Sequence, residues 1–304
     1  MHDLMAHSYG FDTTTMISFG EIYYVDHGNS FTYMIPVGKE KNTIFFHLLK
    51  FIDTSPHFKH IFTIDHQPTL QVRDSHYYCL FSRLKLHQTI TESQLNVPVI
   101  YSERYPLAAH FKSKWEKKNQ IHEDNLNLAL DKTPAFMRSV LFDLATYYIH
   151  LNEEAYRLLK PVEQTLFSTS ICHVRIKPDT PLYQFFMPDY LILDNRSRNI
   201  CEYLRHLFLE TGDLDKIGQL VAHMAHHDPM LEVEWQFLYA RLYFPTHFYD
   251  MVYDVIINDD VKIDELYDQT MNYSQLLAML PKWVKLYTGY QLDVPLWAET
   301  DTIL

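Results

Sequence analysis

The chain has 304 residues, 47% of them hydrophobic, and a formal net charge of -12 from 26 Lys and Arg against 38 Asp and Glu. That length can bury the core of one large domain or two lobes, while the acidic surplus excludes the phosphate-neutralising surface that nucleic acid requires and disfavours anionic membranes. No apolar run reaches 18 residues, and the segment Met1 to His7 lacks a charged start with an apolar stretch, so a cytosolic protein without membrane insertion is expected unless an assembly recruits it.

The hydrophobic period changes once along the chain. Strands are predicted over Met16 to Gly20 and Ile22 to Asp26, followed by the turn Asp26-His-Gly-Asn29 and a strand from Phe31 to Val37, which together form a hairpin signature. Asn42 can cap a helix over Thr43 to Ile52, with Ile44, Phe45, Leu48, Leu49 and Ile52 on one face. Two further strands are predicted at Ile61 to Asp65 and Tyr77 to Arg83. The polar stretch Leu84 to Pro106, with Pro98 and Pro106, reads as a linker. Beyond it the spacing predicts helices over Leu107 to His122, Phe136 to Leu159, Ile200 to Glu210, Leu214 to His227, Leu231 to Phe244, Phe248 to Asn258 and Ile263 to Leu280. The expected class is α+β and bilobal: a small β-rich lobe over 1–83, a hinge region over 84–106 and a larger helical lobe over 107–304.

Chemistry concentrates in Ile171-Cys-His-Val-Arg-Ile-Lys-Pro-Asp-Thr180 and the following strand Leu191-Ile-Leu-Asp194. Phosphoryl transfer needs a carboxylate beside the acceptor hydroxyl, an amide a few residues on for metal, and an Asp after a short strand for a second metal contact. Asp194 supplies the last. Neither of the other two groups is plainly present, and Arg175 in the loop can neither accept a proton nor bind a cation. An ion pair between Arg175 and Asp194 is therefore expected to fill the site without metal. Glycine agrees: Gly10, Gly20, Gly28, Gly38, Gly212, Gly218 and Gly289 make no G-x-G-x-x-G and no G-x-x-x-x-G-K.

The loop Ile171-Cys-His173-x-x-x-x-Pro178, the strand ending in Asp194 and a helix opening at Asn199 resemble the aminoglycoside-phosphotransferase-like kinases, and within them the spore-coat-associated group of CotS and YutH type. Tyr77-Tyr-Cys-Leu80 is similar to the interlobe hinge of that family, and Leu242-Tyr-Phe-Pro245 to its late helical segment; the resemblance runs from about Met16 to Tyr287. It implies a bilobal protein-kinase-like fold. The family loop is His-Gly-Asp-x-x-x-x-Asn, so His173 matches and braces the loop, Val174 replaces Gly, Arg175 takes the catalytic Asp position and Thr180 the metal-binding Asn position. Pro36 falls where the strand Phe31-Thr-Tyr-Met-Ile-Pro36 should carry the phosphate-holding Lys, with Lys39 and Lys41 a few residues on, and Tyr78 falls in the hinge. The resemblance thus implies a pseudokinase that needs no cofactor and acts by binding proteins, coat proteins included. The alternative is an active small-molecule phosphotransferase using ATP and Mg²⁺, with Asp179 moved in beside Asp194. A third reading is a helical scaffold in which residues 16–83 form no sheet.

Other constellations have plainer readings. His223-x-x-His226-His227-Asp228 has metal-ligand spacing on a helix, yet imidazoles are favoured at a helix C-terminus and Pro229 stops the helix there; with 18 His in the chain such spacings arise by chance, and His57-x-x-His60 is another example. Cys172 beside His173 reads as a buried thiol, because neighbours on an extended loop point apart; Cys79 and Cys201 also read as reduced core thiols. Lys112-Ser-Lys-Trp-Glu-Lys-Lys118 reads as a solvated helix face with Trp115 turned inward. Tyr147-Tyr148 and Tyr239 to Phe244 read as helical core.

Overall fold

The computed structural model describes residues 7–9, 16–38, 42–72, 75–90, 104–258 and 263–295. Lys39, Lys41, the Asn42 side chain proposed as a cap, and residues 91–103 of the linker lie outside the described residues. Two compact units divide the chain: Met1–Ser102 with Thr169–Asn199, and Glu103–Ser168 with Ile200–Leu304.

The first unit is built on an antiparallel sheet. Strands β1 (Ile17–Phe19), β2 (Ile22–Asp26) and β3 (Phe31–Val37) form a meander, helix α1 (Asn42–Thr54) follows, and β4 (Phe58–Ile61), β5 (Leu70–Val72) and β6 (Ser75–Ser82) complete the order β1-β2-β3-β6-β4, with β5 also on β6. The β2–β3 turn closes where the sequence placed it: Asp26 Oδ1 accepts from Gly28 N at 2.7 Å, and Gly28 takes a positive φ of 86°. Strand alternation gives the sheet two unlike faces. Met34, Cys79, Tyr23 and Tyr77 share one with Tyr9 and Met16. Tyr24, Tyr33, Ile35, Tyr78 and Leu80 share the other, as the cross-strand register requires.

One strand departs from expectation. The alternation Ile61 to Asp65 looks like a strand, but the chain pairs Phe58–Ile61 with Cys79–Ser82 instead, and Phe62 and Ile64 are left 53% and 62% exposed. Pairing with β6 sets that register, because it buries His60 and brings the Phe58 ring within 4.7 Å of Phe186. Strand β5 is too short to leave a periodic signal in the sequence.

The rest of the first unit is a second antiparallel pair. Strand β9 (Ser170–His173) pairs with β10 (Leu191–Asp194), His173 opposite Leu191 and Asp194 opposite Ser170.

The second unit is mostly helical. It contains β7 (Arg104–Tyr105) paired with β8 (Phe167–Ser168), and helices α2 (Leu107–Lys132), α3 (Arg138–Leu159), α5 (Leu214–His227), α6 (Glu232–Tyr243), α7 (Thr246–Asn258) and α8 (Ile263–Thr288). Helix α4 (Ser197–Thr211) begins in the first unit and continues here. Helix α6 is buried from Glu234 to Tyr243 and packs against α3 and α8. Its start is fixed by the Glu234 carboxylate accepting from Leu231 N at 3.0 Å. Arg241 lies between Phe111 and Phe237, 4.0 and 4.2 Å from their ring centroids, and Trp115 turns inward to stack on Phe244 at 4.4 Å.

Helix α8 runs beyond its expected end at Leu280, through Pro281 to Thr288. A proline removes one helical hydrogen bond, to the carbonyl four residues back. Here that carbonyl is Leu277 O, and the buried Tyr239 hydroxyl donates to it at 2.9 Å. A partner from α6 thus replaces the bond that Pro281 cannot make.

His122 on α2 stacks on Tyr249 of α7 with ring centroids 3.7 Å apart and planes 2° from parallel. Burial, followed by the nearby Lys118 charge, lowers its pKa to about 4. An unfolded histidine titrates near 6.5. The unfolded chain therefore takes up a proton that the native chain refuses: the stability is complete above about pH 6.5 and is lost as pH falls towards 4. Melting temperature should decline from pH 7 to pH 5 less steeply in His122→Phe than in the parent chain. Equal slopes would show that His122 does not carry this dependence.

Candidate functional site

The β9–β10 pair and the loop between its strands hold the residues of interest, all within the first unit. His173 ends β9 and is 2% exposed. Its backbone N–H donates to Asn199 Oδ1 at 2.8 Å, its Nδ1 accepts from Arg175 N at 3.1 Å, and its ring lies parallel to Tyr190, with Phe185 also in contact. The loop then turns on itself: Lys177 N donates to the Thr180 hydroxyl at 2.8 Å and Thr180 N to Lys177 O at 3.0 Å. Thr180 is buried and its hydroxyl closes this turn, while Lys177 and Asp179 are exposed and Arg175 is half-buried.

Asp194 ends β10 and is fully buried. Its Oδ1 accepts from Asn195 N at 2.7 Å, and Asn195 Oδ1 accepts from Ser197 N at 3.0 Å, starting α4. The first turn of α4 reaches back. Arg198 donates from Nη1 to Asp194 Oδ2 at 3.2 Å, from Nη2 to Val174 O at 2.7 Å and from Nε to His173 O at 3.2 Å. One guanidinium thus ties the carboxylate to the loop, in the planar fork that suits arginine.

Sequence reasoning pairs Asp194 with Arg175 and does not name Arg198, whose guanidinium lies on Asp194 Oδ2 at 3.2 Å. The missed signal is the spacing Asp194-x-x-x-Arg198, which a helix start folds into contact. Asn195 and Asn199 are missed too, since neither belongs to a catalytic pattern.

Two sheet positions also move. Pro36 pairs with Tyr77 and shares its face with Met34 and Cys79, so it does not point towards the loop. Ile35 does: it is fully buried, opposite Tyr78, on the face from which the Tyr78 hydroxyl donates to Phe186 O. Tyr78 itself lies inside β6 with no exposed surface, so Tyr77 to Leu80 is a central strand segment, and the chain leaves the sheet only after Ser82. Strand alternation decides the first case, because a shift of one residue exchanges the faces, and the extent of β6 decides the second.

The tip of the β1–β2 hairpin lies on the same region. The Tyr190 hydroxyl donates to Glu21 Oε1, which raises its pKa to about 12, and Phe19 meets Tyr183 edge-on with centroids 6.0 Å apart. Gly20, at φ 56°, has room there for no side chain, since a Cβ would come within 2.7 Å of the Tyr183 hydroxyl.

Among the described residues no group of three or more His, Cys, Asp or Glu is placed to hold a metal ion. The His223 and His227 rings lie 4.4 Å apart at the end of α5, whereas His60 is buried with its Nε2 on Pro68 O and has turned away from such use. Cys172 is buried and donates to Asn195 O at 3.3 Å; Cys79 and Cys201 are buried as well. Among the described residues no helix is long and apolar enough to cross a membrane.

A family model described as spore coat putative kinase YutH matches residues 2–278. The chain belongs to that family. The endospore coat-associated protein YutH of Bacillus subtilis (strain 168) is 32% identical over 115 residues, which cover 35% of this chain and 34% of that protein, so the alignment spans about a third of either. The crystal structure of an aminoglycoside phosphotransferase from Alicyclobacillus acidocaldarius subsp. acidocaldarius DSM 446 aligns with a TM-score of 0.60 at 13% identity, covering 90% of this chain and 93% of that one. The YutH-family chain therefore has the aminoglycoside phosphotransferase kinase-like fold, an antiparallel sheet unit followed by a larger helical part. The sheet over residues 17–82 rules out the helical-scaffold reading.

Proposed function

We propose that this YutH-family chain keeps the phosphotransferase fold without its reaction and works by binding other proteins, coat proteins among them. The observation that carries the reading is the Arg198 fork. A divalent ion at Asp194 would have to displace a guanidinium that donates to the carboxylate and to two loop carbonyls. At ~4 Å and an effective dielectric of ~20 one unit pair is worth on the order of 4 kcal/mol, and the same cation repels Mg²⁺ by about twice that. The remaining positions add no ligand. Thr180 spends its hydroxyl on the loop turn, Ile35 offers no charge on β3, and Arg175 cannot act as a base, a role worth about 10² to 10⁴ in rate. ATP and Mg²⁺ therefore do not fit this donor set.

The test is a titration of the purified chain with Mg²⁺ and ATP. No saturable rise in melting temperature and no phosphate release above the blank are expected, although a ligand at 100 times its Kd would stabilise the native state by about 2.7 kcal/mol. Turnover abolished by Asp194→Asn would overturn the reading in favour of an active small-molecule phosphotransferase, with Asp179 as the relocated acid. Recruitment to the coat is supported by family membership and by the description of the Bacillus subtilis relative. A fluorescent fusion that stays dispersed through sporulation would argue against it.

A further inference from the structure

After β6 the chain turns sharply: the Ser82 hydroxyl accepts from Leu84 N and donates to Leu84 O, both at 2.9 Å. It then runs back under the sheet. Leu86 N donates to the Tyr33 hydroxyl at 2.9 Å, Leu86 O and Gln88 O accept from Tyr183 N and Leu182 N at 2.8 Å each, and Ile90 N donates to Thr180 O at 3.0 Å. This ladder holds the backbone on both sides of His87.

The His87 ring sits among aromatic neighbours on the Tyr24 and Tyr33 face of the sheet. Tyr24 stacks on it with centroids 5.1 Å apart and planes at 17°; Phe19 and Phe31 meet it edge-on at 5.8 and 5.9 Å. The Tyr33 hydroxyl lies 3.5 Å from His87 Nδ1, and Lys85 Nζ lies 6.0 Å from the Phe31 centroid on the same rim. One stacked ring, two edge-on rings and a hydroxyl at a ring nitrogen form a cage for a flat heterocycle. The mouth is wet: Phe19 is 40% exposed and Tyr24 and His87 are half-buried, whereas Tyr33 and Leu86 are sealed.

We propose that the sheet carries a binding cage for a planar nitrogen heterocycle and that His87 is its resident occupant, so that an external ring enters only by displacing the 83–90 segment. The proposal rests on the reading that nucleotide is excluded, and it names what does the excluding on the sheet side. Removing the imidazole leaves a space of its own shape, with Tyr24 still able to stack and the Tyr33 hydroxyl, which lies 3.5 Å from Leu84 O as well, able to turn its proton to a ring nitrogen.

The experiment is a thermal-shift titration of His87→Ala with free imidazole and with adenine. A saturable rise of a few degrees is expected in the variant and none in the parent chain, and Tyr24→Leu in the same background should abolish it. A folded His87→Ala that gains no binding overturns the proposal. Should that variant not fold, the parent chain decides: the His87 ring protons, assigned by their loss in His87→Gln, should resonate upfield under the Tyr24 ring current and return in Tyr24→Leu. Unshifted His87 protons would overturn it equally. Binding of Mg²⁺ and ATP by the parent chain would sink the silent-site reading whatever His87→Ala does; failure of His87→Ala with an inert parent sinks the cage alone.

Discussion

Arg198→Ala is expected to lower the free energy of unfolding by about 3–5 kcal/mol, the range for breaking a buried ion pair by removing one partner. Asp194 has no exposed surface and the Arg198 side chain is 15% exposed, so solvent can replace little of what is lost. Two loop carbonyls, His173 O and Val174 O, lose donors at the same time. Asp194→Asn should cost less, because it removes the charge whose burial is the problem and keeps an acceptor for Asn195 N. Denaturant unfolding, with the double variant to close the cycle, measures both. An Arg198→Ala chain as stable as the parent would mean that the fork is not formed in solution. On the proposed reading, in which Arg175 and Thr180 stand at the other working positions, no Mg²⁺ dependence is expected to appear in the variant.

Arg205→Leu should be at least as damaging, again about 3–5 kcal/mol, and it acts in the helical unit. Arg205 is 1% exposed. Its guanidinium pairs with Glu202 Oε1 at 2.9 Å, donates to the carbonyls of Arg241 and Phe244, and lies beside the Tyr273 hydroxyl, which itself donates to Leu242 O at 2.7 Å. These carbonyls belong to the end of α6, where helical partners run out. The arginine thus acts as a C-terminal cap for α6 and as the counter-charge for Glu202. Leucine would fill the volume but leave those carbonyls without this donor and Glu202 without this cation, which is why a similar volume does not rescue. Loss of cooperative unfolding in the helical part, followed by tryptophan fluorescence of Trp115, Trp235 and Trp283, is the readout. An unchanged midpoint in the Arg205→Leu variant would show that hydrophobic packing, not this network, sets stability there.

Much of this is legible in the sequence, for local reasons. Helix α5 falls at Leu214 to His227 because Asp213 caps it, its carboxylate accepting from Lys216 N at 2.9 Å, and Pro229 follows its end. Strand β10 falls at Leu191 to Asp194 because three apolar residues, Leu191 to Leu193, stand between turn-formers and lead into Asp194. Helix α2 runs ten residues beyond the predicted His122, to Lys132, since Asn125 and Asn127 weaken propensity without stopping a helix that tertiary contacts support. The candidate site is half legible. His173, Arg175, Thr180 and Asp194 can be aligned from spacing, but Pro36 cannot be put on a face, because a face is a matter of strand register and one residue of error reverses it, and Tyr78, expected in a hinge, lies inside β6.

Local spacing and side-chain chemistry determined the order of the elements, the change from strand to helix period, and the short strand that ends in Asp194. These are properties of neighbours along the chain. Tertiary structure decided that Arg198 holds Asp194, that Ile35 rather than Pro36 faces the loop, that Tyr239 completes the helix around Pro281, and that His87 lies among the rings of the sheet. Each of these depends on groups from different elements converging on one point, and such convergence follows from the packing of whole elements, which no window of residues encodes.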